Sequence, residues 1–122
     1  MAWGSKLSAT QLTSITSTEQ FFSSLVTLTP REIAHCEVEA NFVATPTDDM
    51  EVNVYATLDA SSENWDDTPI MSFVIDKGTD PNKASFEIVG VYKFRIGVKA
   101  TGATDTHTSA DFSYRLDGVS AT

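Results

Sequence analysis

Residues 84–100 read A-S-F-E-I-V-G-V-Y-K-F-R-I-G-V-K-A, and from Tyr92 onward they alternate without a slip. Tyr92, Phe94, Ile96, Val98 and Ala100 fall on one side, and Lys93, Arg95, Gly97 and Lys99 on the other. A period of two, built from aromatic and β-branched residues, predicts a half-buried β-strand. Phe86 and Ile88 keep the same parity across Gly90, a glycine that suits a bulge, a bend or the close approach of a neighbouring backbone. The stretch therefore reads as a central strand of an antiparallel sheet.

Outward from it, the same alternation recurs. Residues 33–43 set Ala34, Cys36, Val38, Ala40 and Phe42 against His35, Glu37, Glu39 and Asn41. Residues 50–58 put Met50, Val52, Val54, Ala56 and Leu58 inward, and residues 108–116 do so with Ala110, Phe112, Tyr114 and Leu116. Phe21 to Leu28 reads as a strand of unsettled register, because Phe21-Phe22 and Leu25-Val26 break the alternation. Ile70 to Ile75 has apolar residues of both parities, a pattern that suits cover on both faces. Turn chemistry separates these runs, as in Thr29-Pro30-Arg31-Glu32 and Asp76-Lys77-Gly78.

Short strands at this spacing predict an all-β sandwich or barrel. The expected fold is a single-domain antiparallel β-sandwich over residues 20–122, jelly-roll-like in size, with an immunoglobulin-like sandwich as the alternative. Residues 1–19 are rich in Ser and Thr, with Trp3, Leu7, Leu12 and Ile15 as the sizeable apolar anchors. They read as an extended N-terminal arm that docks on its own domain or on a neighbouring subunit.

A chain of 122 residues with 41% hydrophobic content fits one folded domain. The net charge of −9 argues against generic binding to nucleic acid or to an anionic membrane. A single cysteine, Cys36, excludes an intramolecular disulfide framework, and its place on an apolar strand face makes it a small buried hydrophobe. The first residues lack the apolar core of a signal peptide, and no run reaches the length of a membrane span, so a soluble, cytoplasmically made protein is expected.

No set of residues spells catalysis. His35 lies on the polar side of a strand and His107 in a polar loop, so both read as surface residues away from any metal-type cluster. Neither a G-x-S-x-G elbow nor a glycine-rich phosphate loop is present. An enzyme is not expected, and no cofactor is implied. Asp59, Glu63, Asp66 and Asp67 form the best calcium candidate, but their spacing does not match an EF-hand loop and a solvated acidic loop is the simpler reading. Trp65 in that loop reads as a plug for one end of the sandwich, with interface docking and sugar stacking as its alternatives. Lys93, Arg95 and Lys99 suit cross-strand pairs with Glu37, Glu39 or Glu51, or else a positive patch for an acidic partner.

Several ordered segments together resemble small structural proteins of tailed bacteriophages. They are M-A-W-G at the start, T-L-T-P-R-E-I-A-H-C-E-V-E-A-N-F, V-N-V-Y-A-T-L-D followed by E-N-W-D-D-T-P, and G-V-Y-K-F-R-I-G-V-K-A-T-G ahead of S-Y-R-L-D-G-V-S. The resemblance implies a virion protein, made in the host cytoplasm, within which a capsid decoration (cement) protein is the nearest match. Such a protein oligomerises, with a homotrimer favoured by capsid symmetry, and stabilises the head by binding the major capsid protein. Its contacts would fall to Trp3, Leu7, Leu12, Ile15, Trp65, Lys93 and Arg95. A tail or head-fibre component and a carbohydrate-binding module, using Trp65 and Tyr55, are the competing expectations. The module needs paired aromatics on one face, and the sequence offers them only singly.

Overall fold

Ten strands form from the alternating segments, and no helix occurs among the described residues, which are 4–23, 26–29, 32–58, 65–78 and 82–118 of the computed structural model. In chain order they are β1 (Leu7–Ser8), β2 (Leu12–Ile15), β3 (Gln20–Phe21), β4 (Val26–Thr27), β5 (Glu32–Asn41), β6 (Met50–Thr57), β7 (Met71–Ile75), β8 (Lys83–Ile88), β9 (Lys93–Ala100) and β10 (His107–Gly118). They make two antiparallel five-stranded sheets packed face to face as a β-sandwich. Sheet A runs β1-β10-β5-β8, with β2 also on β10; sheet B runs β3-β9-β6-β7, with β4 also on β9.

The inward parities meet in one core. Ala34, Cys36, Val38 and Ala40 of β5 and Ala110 and Phe112 of β10 face Met50, Val52 and Val54 of β6 and Phe94, Ile96 and Val98 of β9, all buried. Phe22 lies 5.5 Å from Phe112, ring centre to ring centre, which ties the two sheets together where aromatic area is largest. The register of β10 on β5 is unbroken from Ser109↔Asn41 to Gly118↔Glu32.

Residues 84–100 form two strands, not one. The half with Phe86 and Ile88 is β8, at the edge of sheet A, and the half from Lys93 is β9, at the centre of sheet B. Gly90 has φ of +73°, a left-handed turn that an L side chain resists, and it carries the chain from one sheet to the other. Both halves keep one parity because both aim at the same core from opposite sides.

Other expectations shift at strand ends. Leu58, read as inward, lies past the end of β6 and is 84% exposed, and Tyr92 lies before β9 and is exposed. Strand β7 is covered on one face only: Ile75 is buried and Met71 and Phe73 half-buried, whereas Ile70 and Val74 are open to solvent. His107 is not a surface residue. It begins β10, is fully buried opposite Ile15, and packs edge-on to Phe42 at 4.7 Å. The expected turn at Thr29 is present, with the Glu32 amide donating to the Thr29 carbonyl; Pro30, Arg31 and Leu25 lie outside the described residues.

The arm is stitched to the sandwich. β1 and β2 pair with β10, and the Gly4 and Ala9 amides donate to the Leu116 and Phe112 carbonyls. Ile15, read as an arm anchor, is a core residue with no exposed surface. At the end of the sandwich that holds the β5–β6 and β9–β10 loops, two aspartates clasp each other's backbone. Asp48 accepts from the Thr104 and Asp105 amides, and Asp105 accepts from the Thr47 and Asp48 amides. Those backbone donors hold the Asp105 carboxyl below its ordinary range.

Candidate interaction surface

Outward parity on sheet B brings together residues that the sequence scatters. Glu51, Asn53 and Tyr55 project from β6, Arg95 and Lys99 from β9, Phe21 from β3, and Trp65 comes from the loop before β7. Gly97 of β9 makes the space. A Cβ there would stand 2.8 Å from Glu19 Oε2 and 2.9 Å from Phe21 Cε1, so only glycine lets both side chains lie over the strand.

Arg95 is the hub. Its guanidinium carbon lies 3.9 Å from the Phe21 ring centre, 4.7 Å from that of Trp65 and 5.9 Å from that of Tyr55. Phe21 and Tyr55 meet edge to face at 5.6 Å. The cation is thus held between Phe21 and Trp65 by the quadrupoles of the rings and by stacking. Its Nε is buried without a hydrogen-bond partner, so ring contact substitutes for hydration at that atom.

Beside the arginine runs a polar network centred on Glu19. Its carboxylate accepts from Asn53 Nδ2 at 2.7 Å and from the Tyr55 hydroxyl at 2.9 Å. Asn53 also donates to Glu51 at 2.9 Å and accepts from Ser72 Oγ at 2.6 Å, and Glu51 pairs with Lys99 at 3.5 Å. Asn53 is buried, and these bonds satisfy its amide. The Tyr55 phenol is pushed up to about 12, first by burial and then by the hydrogen bond to Glu19 and the charges of Glu19 and Glu51, against the opposing charge of Arg95. A phenol held neutral and already donating is neither a base nor a nucleophile at neutral pH. Chemically the arrangement is a closely packed platform in which Asn53 and Tyr55 are hydrogen-bonded and the Arg95 guanidinium is held by rings.

The predicted interface residues separate. Trp65 and Arg95 stand together, and Trp65 folds over the outer face of sheet B rather than plugging an end of the sandwich. Lys93 sits on the same strand, its Nζ 5.6 Å from the Tyr92 ring. Leu7 is 45% exposed and Leu12 half-buried at the arm edge of sheet A, away from this cluster, and Ile15 is in the core. Trp3 lies outside the described residues. Of the three acidic partners expected for the cationic strand, Glu51 alone is on the same sheet. Glu37 and Glu39 belong to sheet A and pair there with Lys83 at 3.7 and 3.5 Å.

Sequence reading missed Glu19, Phe21 and Asn53, and it took the aromatics to be isolated. Their meeting depends on the pairing β3-β9-β6, which a one-dimensional pattern does not contain. The one available signal was Gly97 among β-formers, which marks a close approach.

Sheet A has its own surface feature, a shallow trough of about 480 Å³ lined by His35, Glu37, Ser85, Glu87, Ser113 and Arg115 among others. His35 contacts Glu87 at 3.4 Å and Asp117 at 3.9 Å across its rim. Among the described residues no three His, Cys, Asp or Glu side chains gather as a metal group; of the four loop acids, Asp59 and Glu63 lie outside them. Cys36 is buried as read, and burial pushes its thiol up to about 12. Set against family models, curated proteins and solved structures, the chain matches none.

Proposed function

We propose that the chain is a non-enzymatic structural protein of a tailed-phage virion, a capsid decoration protein that oligomerises and binds the major capsid protein. The observation that carries this reading is the Trp65–Arg95 platform. Tryptophan, tyrosine and arginine dominate binding energy at interfaces, and here they stand together on the outer face of sheet B, with the Tyr55 hydroxyl and the Asn53 amide already hydrogen-bonded. Repeated over a lattice, such a face gains strength from many modest contacts.

The strand order supports a jelly roll as the finer fold. With β1 and β2 counted as one strand and β3 and β4 as another, the sheets read first-eighth-third-sixth and second-seventh-fourth-fifth. Such an order interleaves two Greek keys.

Antibody raised against the full chain, applied to virions of the phage that encodes it, tests the location: label is expected on heads. Label confined to tails moves the assignment to a tail or fibre component, and its absence from virions sinks the virion reading. Trp65→Ala and Arg95→Glu are expected to stop the protein adding to capsids that lack it.

A carbohydrate-binding module is the second reading, favoured by the gathering of Phe21, Tyr55 and Trp65. Arg95 already occupies the ring faces turned towards it, which leaves the outer face of Trp65 for a sugar. Quenching of Trp65 fluorescence by a glycan, lost in Trp65→Ala, favours this reading; a glycan array without a hit removes it.

A further inference from the structure

The sandwich has four sheet edges, and they are not equally protected. An unpaired edge is a template for another chain, and folds blunt it by breaking the strand or by placing charges on it. The arm edge of sheet A is broken into β1 and β2, of two and four residues, and Ser14 in β2 has φ of +54°. The matching edge of sheet B is broken into β3 and β4, of two residues each. Strand β8 is continuous but carries Lys83, bonded to Glu37 and Glu39, and Glu87, against His35.

Strand β7 has none of these devices. Its five residues, M-S-F-V-I, are uncharged, and among the described residues only β6 pairs with it. Its outward side presents Ile70 and Val74, 47% and 52% exposed, with Ser72 between them.

We infer that β7 pairs antiparallel with β7 of a second copy of this chain, joining two copies of sheet B into one continuous sheet across a twofold axis. The sequence is complementary to itself in the register that sets Ser72 against Ser72 of the second copy. Ile70, just ahead of the strand, then comes beside Val74, and Met71 faces Phe73, each twice by symmetry. Opposed apolar residues are among the pairs that stabilise an antiparallel ladder. The contact is twofold, unlike the threefold ring that capsid symmetry suggests, and it stands whether or not the protein belongs to a virion. It also sets two Trp65–Arg95 platforms side by side on one surface, so that a single partner lattice meets two at once.

Light scattering after size exclusion, on the full chain over a wide concentration range, is expected to give twice the mass of one chain. Val74→Lys places a charge against Ile70 of the second copy and is expected to weaken the dimer about tenfold or more. Its far-UV circular dichroism and Tm report whether the variant is folded. Ser72→Cys is expected to oxidise to a covalent dimer, while Ser85→Cys on the charged β8 edge stays single under the same oxidant. Cys36 is buried and does not compete. A monomer at every concentration, a trimer, or a dimer indifferent to Val74→Lys and without the Ser72→Cys cross-link overturns the inference.

Discussion

Sheets A and B are built from the same alternation, yet their outward sides solve opposite problems. On sheet A the charges sit in water as loose pairs: Lys83 with Glu37 and Glu39, at about two-fifths side-chain exposure. On sheet B the central cation, Arg95, is half-buried and held by rings, and the central acid, Glu19, is used up by Asn53 and Tyr55. Identical periodicity thus yields a solvated charge lattice on one side and a closely packed platform on the other. The difference lies in the cross-strand neighbours.

The largest test of that contrast is alkaline titration. Cys36 in sheet A and Tyr55 in sheet B are both raised to about 12, from 9.0 and 10.0. In each case the unfolded chain releases its proton first, so stability is whole below pH 9 and falls as pH rises towards 12. For Cys36 the rise from 9.0 to about 12 corresponds to roughly 4 kcal/mol. Urea unfolding against pH is expected to show this loss, reduced in Cys36→Ala and, over pH 10 to 12, in Tyr55→Phe. Unchanged slopes in both variants place the loss elsewhere.

Next comes Glu19→Ala, which removes the acceptor of one Asn53 N–H and of the Tyr55 hydroxyl; about 2–3 kcal/mol is expected from the lost charge-assisted bonds. A cost near zero means that the network does not organise the face of sheet B. Arg95→Ala loses ring contact and stem packing, worth about 1–2 kcal/mol, with Trp65 fluorescence shifting as the ring is uncovered. Gly97→Ala forces Glu19 and Phe21 off the strand and is expected to cost about 1 kcal/mol with the same fluorescence change. Smallest is Lys83→Ala on sheet A, within about 0.5 kcal/mol, because exposed pairs contribute little. Should Lys83→Ala cost as much as Arg95→Ala, the two sides are not different in kind.

Much of the sandwich was legible in the chain. The inward sets of β5, β6, β9 and β10 are the apolar parities read from sequence, and Cys36 is buried where alternation put it. What alternation does not encode is which sheet a strand joins. Residues 84–88 and 93–100 share a parity and sit on opposite walls of the core because Gly90 turns the chain between them. His107 looked solvated because its neighbours in sequence are polar, whereas its neighbours in space are Ile15 and Phe42. Half of the candidate surface, Trp65 with the cations of β9, was visible as residue types; its hub geometry needed β3, β6 and β9 side by side.

The pairing of the first strands with the last has a consequence for biosynthesis. β10 lies between the arm strands and β5, so sheet A has a gap at its centre until β10 is made. On the ribosome, β5 waits with an open edge and β1 and β2 have nowhere to dock, although the other nine strands have already been made. Sheet A therefore closes only once β10 has left the exit tunnel, on the timescale of about milliseconds to seconds that suits folds dominated by distant contacts. A stalled nascent chain long enough to hold β10 clear of the exit tunnel is expected to close the whole sheet while still tethered, whereas one stalled before β10 is not.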